Sequence, residues 1–255
     1  MQGAVCAGLG RPARAVRRRV AATLRARLAA AVAAVLAACL PGASAAGPVS
    51  LCPVPAGPPK LEVQEVGGRV SCRTTDAGPA LHARAGPARK GVVTKAAVIR
   101  PFPRARARAG AVIEAEAMFL FPPGSPRDSV LLMDLECKHC GLAGNPGPRM
   151  YLRDGQLRID RAKIGVHHAW ARADTPKIPA GRWVRIRWRL RLGGAEEGRS
   201  QVWLDGREVL DDRGRTLPEG GRVAALDRLQ IGITAQSNDR EAELFLRDLR
   251  LDVRP

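Results

Sequence analysis

Aromatic side chains are scarce in this chain, at 4% of 255 residues, and Tyr151 is the single tyrosine. Single-stranded nucleic acid is held by aromatics interleaved with basic groups. With no such platform and no reading motif, nucleic-acid recognition is excluded in spite of a formal charge of +18. Histidine is also rare, with four residues, so general bases are few. No apolar run reaches the roughly 20 residues that a membrane-spanning helix needs. No long segment has helical period and no internal repeat is present, which argues against helical bundles and solenoids. Acidic residues are absent from residues 1–45, which carry seven arginines.

Those first 45 residues are expected to be an export leader. A basic n-region precedes the apolar stretch 28–40, and Ala43-Ser44-Ala45 fits a cleavage site. Leu36-Ala37-Ala38-Cys39 also reads as a lipobox, with Cys39 as the lipidated residue. Simple secretion and lipid anchoring both stand, and membrane contact is expected only through a lipid on Cys39. Without the leader the chain keeps 35 basic against 24 acidic residues, or +11, a field that attracts anionic partners. Four cysteines remain, Cys52, Cys72, Cys137 and Cys140. An even number in an exported chain points to disulfides. Three pairings are open, and the local one, Cys52–Cys72 with Cys137–Cys140, is expected. Closing the first loop would contribute roughly 3 kcal/mol.

Residues 46–60 are rich in Pro, Gly and Ala and read as a tether. Residues 61–255 read as one all-β domain, a two-sheet antiparallel sandwich, because strand signals recur at short spacing. Asp154-Gly155 and Asp205-Gly206 each lie between alternating runs, the sequence mark of tight hairpins. From Trp183 to Leu192 the period is two: Val184, Ile186, Trp188, Leu190 and Leu192 share one face, and Arg185, Arg187, Arg189 and Arg191 the other. Residues 112–121 place Ile113, Ala115, Ala117, Phe119 and Phe121 inward, with Glu114 and Glu116 opposite. Further strands are expected at 129–136, 227–235 and 241–253. Residues 100–110 read as an exposed basic loop.

The segments GRWVRIRWRLRL (181–192), GRSQVWLDGREVLDDRGRTLP (198–218), LQIGITA (229–235) and AELFLRDLRL (242–251) follow one another in an order that resembles concanavalin-A-like jelly rolls. The likeness is to laminin-G-like modules and secreted polysaccharide-lyase-like proteins in particular, and it covers residues 110–253. The Ile113-Glu114-Ala115 run is similar to their early strand. The resemblance implies two curved antiparallel sheets with a concave carbohydrate-binding face. Fold alone does not assign an activity.

A lyase needs a group that neutralises a uronate carboxylate and a base that takes the adjacent proton. Tyr151, His167 and His168 are the candidate catalytic residues, provided the 163–170 segment, with Lys163 and Trp170, folds over a groove. The arginine-rich strand and the Gln-Ile-His motif of alginate lyases are missing; the strands in those places read Ile113-EAEA and Gln230-IGITAQ. Hydrolysis needs paired carboxyls roughly 5–9 Å apart. Glu114 with Glu116, and Asp134 with Glu136, have suitable spacing, but the E-x-D-x-x-E pattern of sandwich glucanases is absent. Cys137-x-x-Cys140 with the histidines is a weak zinc signal that a disulfide outweighs, so neither metal nor cofactor is expected. The candidate ligand-binding residues are Arg185, Arg187 and Arg189 of the arginine ladder, spaced about 7 Å apart, together with Glu114, Glu116 and Trp170. Arginine forks recognise carboxylate and sulfate. The expected protein is an exported monomer that binds a polysaccharide or other glycan, with acidic polysaccharide suited to its basic charge; the alternatives are a polysaccharide lyase acting by β-elimination on a uronate-containing polymer and a structural envelope protein.

Overall fold

A computed structural model describes residues 47–52, 61–89, 91–141, 144–218 and 225–255. The expected leader and its Cys39 lipobox lie outside the described residues, as does most of the tether. Fourteen strands follow in order: β1 (Glu62–Val66), β2 (Gly68–Thr75), β3 (Gly78–Ala85), β4 (Thr94–Pro101), β5 (Val112–Leu120), β6 (Val130–Glu136), β7 (Arg149–Arg153), β8 (Gln156–Arg161), β9 (Val166–Trp170), β10 (Trp183–Arg191), β11 (Arg199–Leu204), β12 (Arg207–Arg213), β13 (Arg228–Gln236) and β14 (Ala242–Arg254). They form two seven-stranded antiparallel sheets, ordered β1-β4-β13-β6-β7-β8-β9 and β12-β11-β10-β5-β14-β3-β2.

The alternation read in the sequence sets the inner layer. On β10, Val184, Ile186, Trp188 and Leu190 are fully buried, as are Ile113, Ala115 and Phe119 on the neighbouring β5. Trp188 satisfies its one polar atom by donating Nε1–H to Ser200 Oγ on β11, at 2.9 Å. The two expected hairpins are present: Asp154 and Gly155 have φ of 52° and 79°, and Asp205 and Gly206 have 51° and 84°. These are the positive values that a primed turn demands.

The outer faces differ. On the β12-to-β2 sheet, strands alternate between buried and open residues, as on β10. On the other sheet, β4, β13 and β6 are buried on both faces almost throughout. The outward side of that sheet is therefore recessed. Within it, Gly232 on β13 has φ of 125°, and a Cβ there would lie 2.8 Å from the Ala96 carbonyl oxygen. The register with β6 shifts just beyond, between Ile231 and Ala235, so a glycine and a bulge occur together.

Two expectations need correction. Residues 47–52 are not a free tether: Val49 N donates to Leu249 O, Leu51 is buried, and Cys52 is bonded to Cys72 with a Cα separation of 5.6 Å. The 100–110 segment is only partly an exposed loop. Arg100 belongs to β4, Ala107 is fully buried, and Arg104 Nη1 donates to His139 O at 2.6 Å.

Trp188→Ala should lower unfolding free energy by about 3–5 kcal/mol, and Gly232→Val should be comparably severe because both space and φ are wrong. Urea titration followed by circular dichroism measures both.

Candidate functional site

The recessed face is built by three cross-strand rows. In one, Gln230 of β13, Asp134 of β6, Arg149 of β7 and Asp160 of β8 are register partners. In the next, Arg228 stands opposite Glu136. In the third, Leu131, Tyr151 and Arg158 are aligned.

At its centre the face carries two adjoining buried polar clusters, one on Asp134 and one on Glu136. Thr234 Oγ1 donates to Asp134 Oδ1 at 2.8 Å, from the side of β13 that Gln230, four residues earlier, also occupies. Lys163 Nζ donates to Glu136 Oε1 at 2.7 Å, and Gln230 Nε2 donates to Glu136 Oε2 at 2.5 Å. Gln230 Oε1 is buried and accepts no hydrogen bond among the described residues. Burial, reinforced by the Glu136 charge, pushes the Asp134 carboxyl up to about 6, against weaker pulls from Thr234, Lys163 and Arg149. Arg149 makes a two-nitrogen contact with Asp160 Oδ2, with Nε at 2.8 Å. Beyond it, Tyr151 is half-buried, and the Arg158 guanidinium beside it has no hydrogen bond or ion pair among the described residues.

One end of the face is pinned by Asp227. Its carboxylate accepts from the backbone N–H of Lys138 and His139, at 3.0 and 2.9 Å, and from Arg228 Nε at 3.2 Å. Burial drives this carboxyl up, yet those hydrogen bonds together hold it below the usual range. They staple the turn closed by the Cys137–Cys140 disulfide. The cysteines are thus bonded to each other, and His139 Nδ1 faces Asp227 Oδ2 at 3.0 Å.

The residues singled out in the sequence do not converge. Tyr151 and the pair His167 and His168 share a sheet, but β7 and β9 are separated by β8. At the usual strand spacing that is about 10 Å, too far for one proton to be shared. His168 Nε2 instead meets Arg161 Nη2 at 2.9 Å. Trp170 is 6% exposed and its ring is covered by the Arg161 guanidinium at 3.5 Å. As placed, it packs with Arg161 and offers no open ring for a sugar.

Arg185, Arg187 and Arg189 with Glu114 and Glu116 lie on the outward face of the other, open sheet. There Glu116 Oε1 is 3.9 Å from Arg185 and 3.7 Å from Arg250, while Glu114 faces Arg187 at 4.0 Å and Arg254 at 3.4 Å. Arg187 also covers the Trp203 ring at 3.8 Å. Glu241 and Glu243 of β14 and its approach serve Arg84 and His82. The two strands read in the places of the lyase motifs, β5 and β13, also fall in opposite sheets. Sequence reading missed the roles of Gln230, Thr234, Arg149 and Arg158. Its best clue was the Asp134/Glu136 pair in an otherwise apolar strand.

The sequence matches no known protein family and no curated protein. Solved structures do match. An endo-β-1,4-glucuronan lyase from the fungus Trichoderma reesei is 14% identical, with a TM-score of 0.57 over 74% of this chain and 89% of that one. The alginate lyase vAL-1 from a Chlorella virus is 11% identical, with a TM-score of 0.51 over 76% and 92%. A variant of the alginate lyase Aly36B in complex with an alginate trisaccharide is 14% identical, with a TM-score of 0.50 over 75% and 87%. At these identities the likeness concerns the fold. The fold is a concanavalin-A-like jelly roll, shared with polysaccharide lyases.

Because the Asp134 carboxyl titrates higher folded than unfolded, its effect on stability is smallest at acid pH. The unfolded carboxyl ionises from near pH 4 upward while the folded one still holds its proton. Stability should therefore fall by about 3 kcal/mol between pH 4 and about 6 and then level off. Asp134→Asn should remove that decline, as read from urea midpoints across the pH range.

Proposed function

We propose that this is an exported polysaccharide-binding protein that holds a glycan along the recessed face without cleaving it. The observation that carries the reading is the contrast within that face. Its centre is taken up by polar clusters in which the Asp134 and Glu136 carboxyls are bonded within the protein, while its flank offers Tyr151 and Arg158, the latter without a partner among the described residues, side by side. Concave sites lined by a few placed polar groups are where ligands are ordinarily taken. The phenol suits stacking on a sugar ring, and the guanidinium suits a uronate carboxylate. The carboxylates at the centre repel a uronate placed over them, and the cations beside them, Lys163 and Arg149, are already paired with Glu136 and Asp160. Paired cysteines and a basic leader accord with export.

The Tyr151–Arg158 juxtaposition also favours a second reading, a β-eliminating lyase. Arg158 would neutralise the uronate carboxylate and Tyr151 would take the C5 proton. The C4–O bond to the next sugar would then break as a C4=C5 double bond forms, and the departing oxygen would take the proton that Tyr151 had received.

A glycan array at two salt concentrations tests binding. Uronate-containing glycans should bind in a salt-sensitive way. Tyr151→Ala and Arg158→Ala should each weaken binding at least tenfold, whereas Arg187→Glu with Arg189→Glu should leave it unchanged. No binding at low salt would leave the structural envelope role. Loss of binding only in the Arg187/Arg189 variant would move the site to the open sheet. Ultraviolet absorbance from a new C=C bond on glucuronan, alginate or pectate, abolished by Tyr151→Phe, would establish the lyase instead.

A further inference from the structure

The edge of the open sheet carries a second concavity, about 590 Å³ in volume, between β2 and β3. Arg69, Ser71, Arg73, His82, Arg84 and Glu241 line it. Its depth comes from Gly67, Gly68 and Gly86, which contribute backbone only. None of these residues takes part in the recessed face.

Its charges are not balanced internally. Arg69 and Arg84 are register partners on adjacent antiparallel strands. Like charges directly opposite destabilise a strand pair. Arg73 stands four residues further along the same face of β2. The nearby carboxylates are already engaged. Glu241 Oε1 accepts from Arg84 Nε at 3.0 Å and Nη2 at 2.7 Å. Glu243 Oε1 meets His82 Nε2 at 2.5 Å, with the imidazole stacked on Phe245 at 4.5 Å between centroids. Arg69 and Arg73 are exposed and have no side-chain hydrogen bond or ion pair among the described residues. The Ser71 hydroxyl lies between them, across from His82.

From this arrangement we infer that the β2–β3 cavity is an oxyanion site, taking the carboxylate or sulfate ester of an acidic saccharide. Arg69 and Arg73 hold the anion, Ser71 donates to it, and Arg84 is steered by Glu241 toward the same space. An oxyanion placed between Arg69 and Arg84 removes the repulsion that the empty register pair creates. Forked guanidinium groups suit both planar carboxylate and tetrahedral sulfate, and the volume admits a sugar ring with its substituent. The site is separate from the glycan face proposed above, on the opposite sheet.

Three probes distinguish the sources of the anion: inorganic sulfate, tri-galacturonate and a sulfated heparin-type tetrasaccharide. Each is titrated calorimetrically into the wild-type protein and into Arg69→Ser with Arg73→Ser, at ionic strength held constant with chloride. At least one probe should bind the wild type and lose tenfold or more in the double variant. The sulfated tetrasaccharide or the galacturonate then identifies the preferred group. In chloride-poor buffer without probe, Arg69→Ser alone should melt at the same temperature or higher than wild type, a result that a merely structural arginine would not give. Tyr151→Ala should leave probe binding at this site intact, whatever becomes of the recessed face. Equal affinities in the wild type and the double variant would overturn the assignment, as would no binding of any probe or loss of binding in Tyr151→Ala.

Discussion

The recess of one sheet is the constraint on which the rest depends. A strand normally hides one face and wets the other, and the open sheet obeys this. On β4, β13 and β6 the second face is buried as well. Polar groups placed there lose water and must find partners in the protein. Asp134, Glu136, Gln230 and Thr234 do so with one another and with Lys163. Burial also explains why Asp134 holds its proton to near neutral pH. The same burial thus engages most of the polar groups at the middle of the face with one another, while Tyr151 and Arg158 stand side by side at its flank.

The arginine excess is handled differently on the open sheet. There each of Glu114 and Glu116 is shared between two arginines at 3.4–4.0 Å. Exposed pairs of this kind contribute little, about 0–1 kcal/mol each. They spread charge over the face of β10, β5 and β14 and leave the surface net positive. Where that sharing stops, at the β2 edge, arginines face each other with too few carboxylates between them. Arginine content spread over both strand groups therefore produces two local outcomes, a ladder in which glutamates are shared and a cleft in which Arg84 alone has a carboxylate partner, according to which strands become neighbours.

Much of the architecture was legible in the residues. The two Asp-Gly turns, the inward set of β10 and the inward set of β5 follow from local φ requirements and period-two patterning, which act over a few residues. The docking of Leu51 and Val49 was not legible, because Pro and Gly near them carry no periodicity. Neither was the burial of Trp170 under Arg161, since a tryptophan after two histidines reads equally as platform or core. The Gly232 bulge left a trace, a glycine inside a strand pattern, but the register shift beside it exists only because β6 lies alongside.

What the sequence determined by itself was an all-β sandwich: which residues turn, and which face of each strand is apolar. Which sheet each strand joined, and which outer face became recessed, was decided only when strands far apart in the chain paired. Period-two alternation distinguishes two sides of a strand but does not say which neighbour stands beside it. Tyr151 therefore acquired Arg158 as a neighbour and not His168, and the arginine ladder took Glu114 and Glu116 on the opposite side of the molecule.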